Sequence, residues 1–92
     1  MQINVQYEAQ VRRAIGVRSE NISMPDSSTV RDCVQRVAET HGEKVGTILL
    51  NSGNEIQASL LIFLNDCQVL RDDAGVVADG DTLTLMTPIS GG

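Results

Sequence analysis

Ninety-two residues, 41% hydrophobic and 21% charged, suffice for one domain with one core and leave no room for a second. A formal net charge of −5 argues against nucleic acid as a main partner, because that contact is dominated by phosphate and needs a basic surface. No run of about 18 apolar residues is present, so no transmembrane helix is expected, and "MQINVQYEAQ" lacks the basic-then-apolar order of a signal peptide, which points to the cytoplasm.

The first candidate element is "INVQY", where Ile3, Val5 and Tyr7 alternate with Asn4 and Gln6, the pattern of a half-buried strand. "NISM" repeats it with Ile22 and Met24 before Pro25. Between them "EAQVRRAIGVRSE" is polar and broken by Gly16, and reads as a loop holding at most a helical turn. "SSTVRDCVQRVAETHG" carries Val30, Cys33, Val34, Val37, Ala38 and His41 on one helical face. Thr29 with Asp32 has the spacing of a capping box, Ser28 is a competing cap, and Gly42 suits the residue after the helix. "EKVGTILLNSGNE" continues as a short helix through Val45, Ile48 and Leu49, then a loop. "SLLIFLND" is a continuous apolar strand, Asn65-Asp66 turns it, and Val69-Leu70 returns as a short strand. After a turn at Asp79-Gly80-Asp81, "TLTLMT" is the last strand, with Leu83 and Leu85 on one face. Two strands, a helix crossover and further strands make an α+β fold in β-grasp order, a mixed sheet packed on one main helix. The domain is expected over residues 1–86, with a flexible tail over 87–92.

Few residues offer chemistry of their own. His41, the lone histidine, lies at a helix end on the apolar side and reads as a packing or capping residue, since a general base needs a positioned partner. Cys33 falls in the apolar stripe and behaves as a small hydrophobe. Cys67 sits in a turn with nothing basic beside it to lower its pKa. Two cysteines and one histidine assemble no zinc site, and the acidic turns lack the ligand spacing of a calcium loop, so no metal is expected.

The end of the chain is different. Glycine anchors a terminus poorly, yet the sequence closes on Gly91-Gly92. At an average usage of about 7%, two terminal glycines arise by accident in roughly 0.5% of chains. Pro88 cannot continue sheet pairing, and six residues from Thr87 reach roughly 20 Å at full extension. Such an arm can carry the Gly92 carboxylate into a channel too narrow for side chains. A carboxylate with a pKa near 3.5 is a poor electrophile until another enzyme activates it, for example as an acyl-adenylate from ATP.

"LNDCQVL" followed by "VVADGDTLTLMTPISGG" resembles the end of the ubiquitin-like sulfur carriers, the MoaD/ThiS superfamily. The shared pattern is Asn65, Asp79-Gly80-Asp81, the strand Leu83 to Met86, Pro88 and Gly91-Gly92. The strand–helix order before them also fits, so the likeness covers the whole chain. "TPISGG" departs from carriers with two prolines or an earlier one, and length with the "FLND" return look most like the carrier of cysteine biosynthesis. The resemblance implies an E1-like adenylyltransferase that activates Gly92 with ATP, and a sulfur donor, either sulfide or a sulfurtransferase, that converts it to a thiocarboxylate. It implies a downstream synthase that takes the sulfur, in a cysteine, molybdopterin or thiamine pathway. The chain is then a carrier and cosubstrate, not an enzyme, with no catalytic residue and no bound cofactor of its own. Pro88, Ile89, Ser90 and Gly91 form the threading arm. Family partners dock on the sheet face away from the helix, and alternation assigns Leu61, Phe63 and Met86 to that face as an exposed apolar patch. The alternative function is a protein modifier joined through Gly92 to target lysines, with Lys44 the single lysine here.

Overall fold

The computed structural model describes residues 1–70 and 75–87. The elements follow in the order β1 (Gln2–Glu8), α1 (Ala9–Ile15), β2 (Ser19–Ser23), α2 (Val30–His41), α3 (Glu43–Leu49), β3 (Leu61–Leu64), β4 (Cys67–Val69) and β5 (Thr82–Thr87). They form one five-stranded sheet in the order β2-β1-β5-β3-β4. Only the central pair, β1 and β5, runs parallel; the other three pairings are antiparallel. This is the expected β-grasp: the first and last strands meet in the middle and the helices cover one face.

Strand alternation builds the core. Ile3, Val5 and Tyr7 of β1 lie beside Leu83 and Leu85 of β5, with Val5 opposite Leu83 and Tyr7 opposite Leu85. Ile62 of β3 sits opposite Leu85. All are buried against Val30, Cys33, Val34 and Val37 of α2 and Val45 and Leu49 of α3. Each large aliphatic side chain taken fully out of water here contributes about 1.5–3 kcal/mol before entropy is charged against it. With Tyr7 the only aromatic in this core, shape-complementary aliphatic packing supplies nearly all of its cohesion.

Local signals account for the helix ends. The Thr29 hydroxyl accepts from the Asp32 amide at 3.1 Å, and the Asp32 carboxylate accepts from the Thr29 amide at 2.9 Å. Aspartate thus completes a capping box that usually carries Glu or Gln. Ser28, the competing cap, is buried and donates to the Pro25 carbonyl instead. Gly42 separates α2 from α3.

The first connection corrects the sequence reading, which allowed only a helical turn. It is a seven-residue helix, α1, that buries Val11 in the core and closes on Gly16 at φ 93°. Its start carries no side-chain cap, and Ala9 adopts φ 55°, so neither usual start signal marks it. Packing of Val11, with Ala14 and Ile15 partly buried beside it, holds the helix in place. β5 also extends one residue beyond the expected domain end: Thr87 is a buried strand residue that bridges Ala9. Among the described residues no helix is long and apolar enough to cross a membrane.

Candidate functional site

The face of the sheet turned away from α2 and α3 is written by the same registers. Leu61 pairs with Met86, and Phe63 with Thr84. Across β5, Met86 pairs with Glu8 and Thr84 with Gln6; across β1, Gln6 pairs with Ser19. This face is therefore apolar on its β3–β5 side and polar on its β1–β2 side. Leu61, Phe63 and Met86 come together as the alternation predicts, but each is half-buried and none is fully exposed.

Among the described residues, the large apolar side chains open to solvent were not foreseen. They are Leu70, 70% exposed, Val76, 59%, and Val17, 47%. Leu70 lies one residue past the Ile62–Val69 pair. It directly follows β4, the edge strand of the sheet. Its period-two spacing from Gln68 on the same face was the available signal.

β5 enters and leaves the sheet under different conditions. At its start, Asn65 and Asp66 form the two-residue hairpin turn between β3 and β4, with φ 49° and 71°. Paired positive φ values define a type I′ turn, for which Asn is well suited. The Asn65 side chain donates to Asp81 at 2.9 Å and accepts from the Thr82 amide at 2.9 Å. Asp81 also accepts from the Ala78 amide at 2.8 Å, across the turn that Gly80 makes at φ 85°. The Asn65 side chain and then the Ala78 amide hold the Asp81 carboxyl below its usual range. Asp79 accepts from the Gln2 amide at 2.7 Å, tying the same turn to β1. The Asn and "DGD" residues of the sequence pattern are thus a clasp over β1, β3 and β5.

At its end, β5 finishes on Thr87, whose buried hydroxyl has no partner among the described residues. Pro88, Ile89, Ser90, Gly91 and Gly92, assigned to the arm and its carboxylate, lie outside the described residues. What the structure provides is the point of departure: the row Leu61–Met86–Glu8, at the edge of the apolar patch.

Below that row, on the core side, Tyr7 donates its hydroxyl to Glu20 of β2, and His41 Nε2 meets the same carboxylate oxygen. His41 thus joins α2 to the sheet in a polar contact that its place in the apolar stripe did not announce. Burial pushes the Glu20 carboxyl up, but hydrogen bonds from Tyr7 and His41 and the His41 charge outweigh it and hold the carboxyl below its usual value. Burial, then the Glu20 bond, drives the Tyr7 phenol well above its ordinary range, so it stays protonated. Burial, and next the Asp32 charge, push the Cys33 thiol up to about 11, which fits a packing role; Cys67 is exposed. Among the described residues no three His, Cys, Asp or Glu side chains could hold a metal ion.

The ThiS family pattern matches residues 5–92. Among solved structures, SAMP1 of Haloferax volcanii matches with a TM-score of 0.88 at 19% identity, covering 100% of both chains. A putative molybdopterin converting factor subunit 1 from Pyrococcus furiosus matches with a TM-score of 0.76 at 26% identity, over 97% of this chain and 99% of the other. A complex of subunits 1 and 2 of the molybdopterin-converting factor from Helicobacter pylori matches at 0.57 and 22% identity, covering 100% of both chains.

Proposed function

The chain belongs to the ThiS family, and from that premise we propose that it is a sulfur carrier working through the carboxylate of Gly92. The coarser class is firm: it is a ubiquitin-like protein of the sulfur-carrier or modifier type. The observation that carries the finer reading is that the family match runs through residue 92 and so includes Gly91-Gly92.

In this reading an E1-like adenylyltransferase joins the Gly92 carboxylate to the α-phosphate of ATP and releases pyrophosphate. A sulfur nucleophile, sulfide or the persulfide of a sulfurtransferase, then attacks the acyl carbon and AMP leaves. With sulfide the product is the thiocarboxylate directly; with a persulfide, reductive cleavage of the acyl disulfide by a thiol is needed to free it. A downstream synthase takes the sulfur and returns the carboxylate. The chain itself acts as cosubstrate, with no catalytic group and no cofactor. Leu61, Phe63 and Met86 dock the partner, while Pro88, Ile89, Ser90 and Gly91 carry the terminus into its active site. Half-burial of the docking trio keeps their rotamers ordered before binding, which lowers the entropy lost on association.

A second reading, a modifier joined through Gly92 to target lysines, is favoured by the full-length likeness to an archaeal protein described as a small modifier. The same activation serves both. Incubation with the host's E1-like enzyme, ATP and sulfide separates them by intact mass: replacement of one terminal oxygen by sulfur supports the carrier. Conjugates that survive a denaturing gel and vanish when Gly91-Gly92 is deleted support the modifier. No mass change with a demonstrably active enzyme overturns the carrier.

A further inference from the structure

On the same outer face, across β5 from the apolar patch, lies an open notch of about 360 Å³ lined by Gln6, Tyr7, Glu8, Arg12, Arg18 and Ser19. The chain has seven cationic residues against twelve acidic ones, yet Arg12, Arg13 and Arg18 fall within one seven-residue stretch. Arg12 and Arg18 are exposed, and their guanidiniums make no hydrogen bond or ion pair among the described residues. Glu8, on the same wall, forms no ion pair with either of them. By contrast, Arg31 and Arg36 of α2 each donate to a backbone carbonyl, of Asn54 and Ser23 respectively.

Position gives the unpaired pair its meaning. The Tyr7 amide bonds the Arg18 carbonyl at 2.8 Å, and Glu8 pairs with Met86, so the notch sits at the end of the sheet where β5 departs. The end of β5 is flanked by Leu61 on one side and by the arginine notch on the other. A partner that receives the terminus must pass over both. We infer that Arg12 and Arg18 form a second docking point, which takes Asp or Glu carboxylates on the surface of the activating enzyme. The inference rests on the activation reading above. Two guanidinium forks match carboxylates in geometry and in charge. On a chain of net charge −5 they also supply the local positive field that orients an approaching acidic surface, so their contribution falls mainly on the association rate.

The test measures association and dissociation rates of the full chain with the host's E1-like enzyme, from low to high salt. Arg12→Gln/Arg18→Gln is expected to slow association about ten-fold at low ionic strength and to flatten the salt dependence. Lys44→Gln/Arg31→Gln makes the same change in net charge on the helix side and is expected to leave the rate within about two-fold. Phe63→Ala is expected to speed dissociation instead. Equal thermal melts for the two double variants keep the comparison free of folding effects. If the notch variant matches the helix-side variant in rate and salt slope, the inference falls while activation stands. If the unaltered chain is not adenylated at all, the activation reading falls and takes the inference with it.

Discussion

At its first residues β5 is held by side-chain hydrogen bonds from its surroundings, and at its last it has none among the described residues. The Asn65 side chain, Asp81 and the positive-φ turn at Gly80 lock the start through hydrogen bonds that cross three strands. Among the described residues the end has no such clasp: the buried Thr87 hydroxyl and the guanidiniums of Arg12 and Arg18 find no partner there, and an apolar patch lies on the other side. It is steadied from the core side, where Tyr7, Glu20 and His41 join β1, β2 and α2. Local hydrogen bonds are spent where the strand must start in register. Half-buried apolar groups and exposed arginines gather where the strand ends.

Breaking the gripped end is expected to have the largest effect on stability. Asn65→Ala loses two side-chain hydrogen bonds and puts at φ 49° a residue that tolerates the left-handed region less well than Asn, so a loss of about 2 kcal/mol is expected. Urea unfolding with an unchanged m-value checks this, and Asn65→Gly, which keeps the turn but not the bonds, is expected to lose about half as much. A loss below about 0.5 kcal/mol for the alanine variant would show that the clasp is incidental.

The core-side anchor comes next and can be read by pH. Glu20 titrates below its unfolded value, so its contribution is complete above that value and disappears as pH falls through the lower folded one. Glu20→Gln is expected to cost about 1 kcal/mol near pH 7, discounted for partial exposure, and progressively less as pH falls below the usual carboxylate range. Denaturant titrations of both chains across that range test it. A gap that persists in acid would assign the effect to packing and not to charge.

The smallest effect is expected at the far end of β5 and has the opposite sign. Thr87→Val removes a buried hydroxyl with no described partner and is expected to stabilise by about 0.5–1 kcal/mol, read as a higher Tm. A destabilised variant would mean that the hydroxyl is satisfied in solution, and the contrast between the two ends would shrink.

Much of this was legible in the chain. Period-two patterning in "INVQY" and "TLTLMT" and the 3.6-residue stripe of Val30, Cys33, Val34 and Val37 record burial directly, because each face meets one environment. The Thr29–Asp32 cap, the Asn65-Asp66 turn and the Asp79-Gly80-Asp81 turn are local, so residue type alone marked them. The assignment of Leu61, Phe63 and Met86 to the outer face followed from alternation. Helix α1 escaped because seven residues are too few to display a period and its start is uncapped; Val11 is helical for the sake of a core built by distant strands.

By itself, then, the sequence determined every element but α1 and the faces they bury, since these depend on neighbours a few positions away. Only the tertiary structure decided what stands next to what. The parallel pairing of β1 with β5 brings residues 8 and 86 together and sets α1 and its arginines beside the end of β5, while packing of α2 on the sheet joins His41 to Glu20 across 21 positions. No periodicity carries that information. It arises when burying one apolar face of every element admits a single strand order.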